Sequence, residues 1–475
     1  MAFGDAATST AGAASAADLD LLAAAELLRT RALSAGELLD ACLRRIEERN
    51  GTSSFGGAPD AVNAWARLYP QLAAAQARAA DARLAREGVD APLLCGIPIG
   101  LKDVYAVAGL PLTASSRVLA GHVADVDATV WARLRAEGAV LVGHTHTHEF
   151  AAGGTTDQVG NPWALQRSAG GSSGGSAAAL AAGMIPAALG TDTCGSLRIP
   201  SAACGTSTIK PTHGRLPLHG IIPLAPSLDH PGPMARTVAD CAVLLRAMAG
   251  DGEPGERPRT GGNGSRPLAG VRIALTDRTA KVAVDADVMD GLERARQACE
   301  RLGAEVVERP AVANLPGSDL NCIVLAEMAH YHARHAGARE RYRPSIAELL
   351  ELGCSFASLS DYLDAQDRRA QTTAAWEDWF AEHRIDALLE PTVATPAPLR
   401  GTGYDAGKLG ADGDPSIVFT ATWDVTGFPV VALPAGLGDR SGLPVGVSLV
   451  AARGRDALVT GLGVALQATE LPPPH

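Results

Sequence analysis

SAGGSSGGSAAALAAGMIPAALGTDTCGSLRIP, Ser168 to Pro200, is the stretch on which the reading of this 475-residue chain turns. It opens with GGSSGGS, Gly170 to Ser176, where serines stand among glycines and backbone N–H groups can approach a ligand closely. An apolar run from Ala177 to Ala182 reads as a buried helix with Gly183 as its stop. MIPAALGTD follows as a short buried strand and leads into a second tight turn, Thr193-Cys194-Gly195-Ser196. Hydroxyls therefore stand in two loops flanking a buried helix. Three readings meet here. A Gly/Ser linker does not continue into long apolar runs. A phosphate cradle needs Gly-Lys-Ser/Thr at the head of the helix, and none is present. The third is a serine nucleophile facing an oxyanion hole of backbone donors.

The same residues resemble the motifs of the amidase signature hydrolases, which read GGSSGG, then GTD, then GS-aliphatic-R-x-P. Here they are Gly170-Gly171-Ser172-Ser173-Gly174-Gly175, Gly190-Thr191-Asp192 and Gly195-Ser196-Leu197-Arg198-Ile199-Pro200. A further family element, G-I-P-x-x-x-K-D, is matched from Gly96 to Asp103. Later turns, Thr426-Gly427-Phe428-Pro429 and Leu433-Pro434-Ala435-Gly436, match too, with Asp424 where the family often has Asn. The resemblance spans roughly residues 20–465 and is densest at 91–240 and 385–450.

The resemblance implies an α/β class: the amidase signature fold, a central twisted mixed β-sheet covered by helices on both faces. It implies one domain over 19–475, with N-terminal helices (19–90), a catalytic core (91–240), a surface linker (251–267) and a variable helical substrate-funnel region (321–384). A loose tail, 1–18, precedes them. It implies Ser196 as nucleophile, Ser172 as a bridging serine on a cis peptide bond and Lys102 as base. Backbone N–H groups of Thr193, Cys194, Gly195 and Ser196 would hold the oxyanion, with Gly171, Ser173, Asp192 and Arg198 in support. Cys194 departs from the Gly or Ala usual there. His146, His148 and Tyr331 are expected to line the substrate pocket. The implied activity is hydrolysis of a carbon–nitrogen bond in a small amide or carbamate, with ester side activity, through an acyl-enzyme. No metal or other cofactor is implied, and homodimers are common in the family. The rival readings are the glutaminase-type subunit of a tRNA-dependent amidotransferase, and a non-catalytic binding protein on the same fold.

Lys102 stands out without the resemblance. The chain has four lysines among 41 basic residues, so arginine serves wherever charge alone is wanted. A lysine inside LLCGIPIGLKDVYAV, a largely apolar segment, is a candidate for titration, because burial lowers its pKa and arginine keeps its proton. The competing reading is an ion pair with Asp103. Lys210, in TSTIKPTHG, reads as structural.

Net charge is −11 with no basic tract, which argues against nucleic-acid binding. Eight scattered cysteines without CxxC spacing read as reduced thiols, hence a cytoplasmic setting. The first residues lack the basic and apolar regions of a signal peptide. No apolar run reaches about eighteen residues, so no membrane span is expected.

Elsewhere, Leu19 to Glu48 reads as helix, with Ser34 and Glu37 forming a capping box and Leu38, Cys42 and Ile46 on one face. Leu68 to Arg86 is a second amphipathic helix, and Ala139 to Val142 a strand. The run His144-Thr145-His146-Thr147-His148 alternates as metal ligands can, yet the resemblance places a pocket loop there. Thr237 caps a helix ending at Gly250. Strand Val271–Leu275, helix Val288–Leu302 and strand Glu305–Val307 form a β-α-β unit and predict parallel pairing.

Overall fold

The computed structural model describes residues 15–250, 266–356, 358–402 and 414–474. Residues 1–14 of the expected tail and 251–265 of the expected linker lie outside them. Among the described residues thirteen strands follow in chain order: β1 Trp65–Leu68, β2 Pro98–Lys102, β3 Val140–Thr145, β4 Gly160–Asn161, β5 Ala164–Ser168, β6 Ala187–Asp192, β7 Ser207–Lys210, β8 His230–Ala235, β9 Arg272–Thr276, β10 Glu305–Arg309, β11 Ala387–Pro391, β12 Val430–Leu437 and β13 Pro444–Val450. β4 and β5 form a small hairpin. The other eleven make one mixed sheet in the order β1-β3-β2-β6-β8-β7-β12-β13-β11-β9-β10.

The sheet is parallel at two places. β2 runs parallel to both β3 and β6, and β9 runs parallel to β11 and β10. Between β6 and β11 each neighbour is antiparallel. The parallel β9–β10 pair, joined by the helix Ala286–Arg301, is the crossover that the β-α-β pattern predicts. β2 and β6 are buried at every position, as strands covered on both faces are. Helices flank the sheet, among them Gly174–Ala181, Arg198–Cys204, Val238–Ala249 and Asp456–Thr469. The segments 91–240 and 385–450 meet at the β7–β12 pair.

The N-terminal helix differs from its expected form. It is two helices, Leu21–Arg29 and Ala35–Arg49, with Arg31 at φ 62° between them. The break follows from the capping box itself. Ser34 Oγ accepts from Glu37 N–H (3.1 Å), and Glu37 Oε2 accepts from Ser34 N–H (2.9 Å). A capping residue has extended backbone and so cannot sit inside a helix. The region 321–384 contains the helices Gly317–His332, Pro344–Phe356 and Leu359–Glu382, with a 3₁₀ turn at Ala333–Arg341. The long third helix packs Trp376 and Phe380 against Trp423 and Phe428, with the Trp376 and Trp423 ring centroids 4.9 Å apart.

Candidate active site

β2 ends on Lys102 and β6 on Thr191 and Asp192, so the sheet delivers these polar side chains side by side beneath the Gly/Ser loop. Lys102 is fully buried. Its Nζ donates to Ser172 Oγ at 2.7 Å and to Thr191 Oγ1 at 2.8 Å. Asp103 is occupied elsewhere: it accepts from Thr113 Oγ1 (2.6 Å) and Ser115 N–H (2.9 Å) and pairs with Arg67 (3.4 Å). Burial pulls the Lys102 pKa down to about 7, against the opposing pull of Asp192 and Asp229. Near neutral pH the amine is therefore present in both forms.

Ser172 follows a cis peptide bond with Gly171. Its carbonyl accepts from His148 N–H (3.1 Å) and Thr156 Oγ1 (3.2 Å). Gly171 is required by close approach, since a Cβ there would collide with the Thr155 carbonyl. Ser173 Oγ turns inward, donating to Thr191 O at 3.2 Å. Ser172 is thus the serine of the pair that faces Lys102.

The turn after β6 places Ser196 at a cavity of about 210 Å³, with Thr193 and Cys194 also in its wall. Among the described residues, the amides of Thr193, Cys194 and Ser196 have no acceptor, which leaves them free to face an oxyanion. Gly195 corrects the sequence reading. Its N–H donates to Asp192 Oδ1, so it holds the turn and does not face the cavity. Its φ of 130° is open to glycine alone, and a Cβ would collide with Thr420 Oγ1. Burial pushes the Cys194 thiol well above its usual pKa, so the cavity wall there is a neutral thiol.

A buried ion network fixes this turn from below. Arg198 Nε bonds Asp192 Oδ2 at 2.8 Å, its Nη2 reaches Asp192 Oδ1 (3.1 Å) and Asp424 Oδ2 (2.5 Å), and its Nη1 bonds Thr420 O (2.9 Å). Burial works to raise the Asp192 pKa, but Arg198 outweighs it and the carboxyl stays below the ordinary value. For Asp424 burial wins, and its pKa lies well above the ordinary range. Thr420 Oγ1 donates to Cys194 O at 2.6 Å. Asp229 accepts from Thr193 Oγ1 at 2.6 Å. Sequence alone assigns no role to Thr191, Thr420 or Asp229. Thr191 lies within the quoted GTD, where the strand end gives the only signal; the other two are brought in by tertiary contact.

The histidine run is divided among separate partners. His144 is bracketed by Tyr69 Oη (2.9 Å) and Tyr105 O (3.0 Å). His146 Nδ1 sits 3.1 Å from Ser115 Oγ, and burial lowers its pKa to about 4. Only His148 of the three lines the Ser196 cavity. His146, just past the end of β3, is held toward Ser115 and is not in that wall. Tyr331 is likewise not in the wall; it packs against Phe150 and His332, with Arg334 4.4 Å above its ring. The remaining wall is largely apolar, including Ile199, Leu224, Leu320, Val324, Met328 and Ile346. A larger cavity of about 280 Å³ lies beyond Gly154 and Ile199, and none of the three predicted catalytic residues lines it.

Comparison with known proteins bears on the family and the fold. A family model described as Amidase matches residues 37–460. The chain belongs to the amidase family. A Glutamyl-tRNA(Gln) amidotransferase subunit of Anaeromyxobacter sp. (strain K) is 36% identical over 465 residues, covering 88% of this chain and 90% of that one. A crystal structure of an amidase superposes with a TM-score of 0.80 at 32% identity, covering 95% of this chain and 99% of that one. The structure of 6-aminohexanoate cyclic dimer hydrolase gives 0.81 at 28% identity, covering 96% and 97%. This amidase-family chain is accordingly an enzyme of carbon–nitrogen bond hydrolysis on the amidase signature fold. Among its described residues no helix is long and apolar enough to cross a membrane.

Proposed function

We propose that this amidase cleaves a small, neutral, largely apolar amide or carbamate through an acyl-enzyme on Ser196. An amide is a poor electrophile with a poor leaving group, so the site must activate a nucleophile, hold an oxyanion and protonate nitrogen. Neutral Lys102 accepts the Ser172 proton while Ser172 takes that of Ser196. Ser196 Oγ attacks the carbonyl carbon, and its oxygen settles against the Thr193, Cys194 and Ser196 amides. As the C–N bond breaks, the proton passes back through Ser172 to the departing nitrogen. Water then repeats the attack and frees the acid. The observation that carries the substrate class is the cavity wall: its ionisable side chains among the described residues are His148, Asp157 and the Cys194 thiol, with no lysine or arginine.

The relay needs the unprotonated lysine. Lys102 loses its proton as pH rises through about 7. Chemistry-limited kcat/KM should therefore climb about tenfold per pH unit below that point and level off above it. A profile flat from pH 5 to 9 would count against Lys102 as base.

The curated relatives favour a second reading, the glutaminase-type subunit of a tRNA-dependent amidotransferase. Glutamine carries an α-carboxylate, for which the cavity wall supplies no cationic partner, although Asp157 could meet its α-ammonium. The test measures ammonia release from hexanamide, benzamide and L-glutamine at matched concentrations, together with Ser196 labelling by a phosphonyl fluoride. Preference for the apolar amides supports the proposal. Preference for glutamine, raised further by a co-purifying partner protein, supports the second reading. Neither labelling nor hydrolysis would leave a binding protein on this fold.

A further inference from the structure

His148 is tied to the relay by its main chain, its N–H donating to the carbonyl of Ser172 at 3.1 Å. Its ring packs on Gly153, where a Cβ would fall 2.5 Å from Nδ1. Nδ1 lies 2.7 Å from Thr155 O. A carbonyl only accepts, so Nδ1 bears the ring proton. Burial holds the ring below its usual pKa, so it is neutral at physiological pH and Nε2 carries a lone pair. The same side chain forms part of the cavity wall with Ser196. Thr193 Oγ1, a neighbour in that wall, is already engaged by Asp229. A hydrogen-bond acceptor of fixed tautomer is therefore carried by a residue of the Ser196 cavity wall that is bonded through its main chain to Ser172, which must hand a proton to the leaving nitrogen.

We propose that His148 Nε2 accepts the N–H of the scissile amide, and that this contact makes the enzyme selective for amides bearing a hydrogen on nitrogen. The inference rests on the acyl-enzyme reading above. In the tetrahedral intermediate the nitrogen lone pair must face Ser172 Oγ–H. Holding the N–H at His148 fixes the nitrogen in that orientation. The C–N bond then breaks, the Ser172 proton goes to nitrogen, and His148 neither gains nor loses a proton. A tertiary amide or an ester has no N–H to offer.

The test uses three substrates with one acyl group: an anilide, its N-methylanilide and the phenyl ester. His148→Leu should lower kcat/KM for the anilide roughly 10- to 100-fold more than for the ester, the effect of one buried hydrogen bond. His148→Gln, whose amide oxygen can still accept, should recover much of the anilide rate. Thermal melting of both variants reports whether the fold survives. Equal losses on anilide and ester, or no loss on either, overturn the inference. If Ser196 labelling and ester turnover persist in that case, the acyl-enzyme reading stands without it. A wild-type enzyme that neither labels nor hydrolyses sinks both.

Discussion

Ser196→Ala is expected to lower kcat/KM by roughly 10⁴-fold or more while leaving the melting temperature nearly unchanged. The turn does not depend on this hydroxyl for its shape. Gly195 N–H, Leu197 N–H and Arg198 all converge on the Asp192 carboxylate, and Thr420 Oγ1 holds Cys194 O. Removing Oγ therefore deletes the attacking atom alone. Ser172→Ala should be comparably damaging, and the double variant little worse than either, because members of a relay fail as a unit. Steady-state rates with active-site titration, alongside melting curves, check this. Retention of more than about one per cent of the activity by Ser196→Ala would put the nucleophile elsewhere. Ser173 would not replace it, since its hydroxyl is bound to the Thr191 backbone.

Arg198→Ala should cost both stability and rate. Arg198, Asp192 and Asp424 are all fully buried. Removing the cation strands the Asp192 carboxylate in the interior, a change that costs about 3–5 kcal/mol. It also frees the turn that presents the oxyanion donors, and a misplaced donor typically costs on the order of 10²-fold in kcat. Arg198→Lys keeps the charge but loses the two-pronged contact with Asp192, so it should fall between. Urea melts and kcat measured on the same preparations decide the matter. A variant that loses stability but keeps wild-type kcat would show that the network supports the fold and not the catalytic turn.

Much of the fold was legible because its elements are marked locally. β2 and β6 are apolar runs, the β9–helix–β10 unit announces a parallel crossover, and Ser34 and Thr237 cap helices where hydroxyls stand before apolar periodicity. Lys102 was legible as the odd lysine of an arginine-rich chain. Lys210 shows the limit of that argument: burial pulls its pKa down to about 7 as well, yet its Nζ donates to Pro211 O and not to a serine. Burial can be read from pattern, but which partner a buried amine meets is set by strand order. Gly195 failed for a related reason. Spacing places four amides in the turn but cannot say that one of them is already bound to a carboxylate. His146 and Tyr331 failed because side-chain direction at a loop or a helix face is decided by packing.

The clamp on the catalytic turn has a consequence for the order in which the enzyme is made. Lys102, Ser172 and Ser196 all emerge in the first half of the chain, but Thr420 and Asp424 bond to Cys194 and Arg198 across 226 positions of sequence. β12, the neighbour of β7, also belongs to the last fifth of the chain. A chain made only as far as β11 holds Lys102, Ser172 and Ser196, together with Asp192 and Arg198, but lacks Thr420, Asp424 and the β12 neighbour of β7. Contacts of such long range form slowly. The full set of contacts around the turn therefore forms only after the segment carrying Thr420, Asp424 and β12 has joined the sheet.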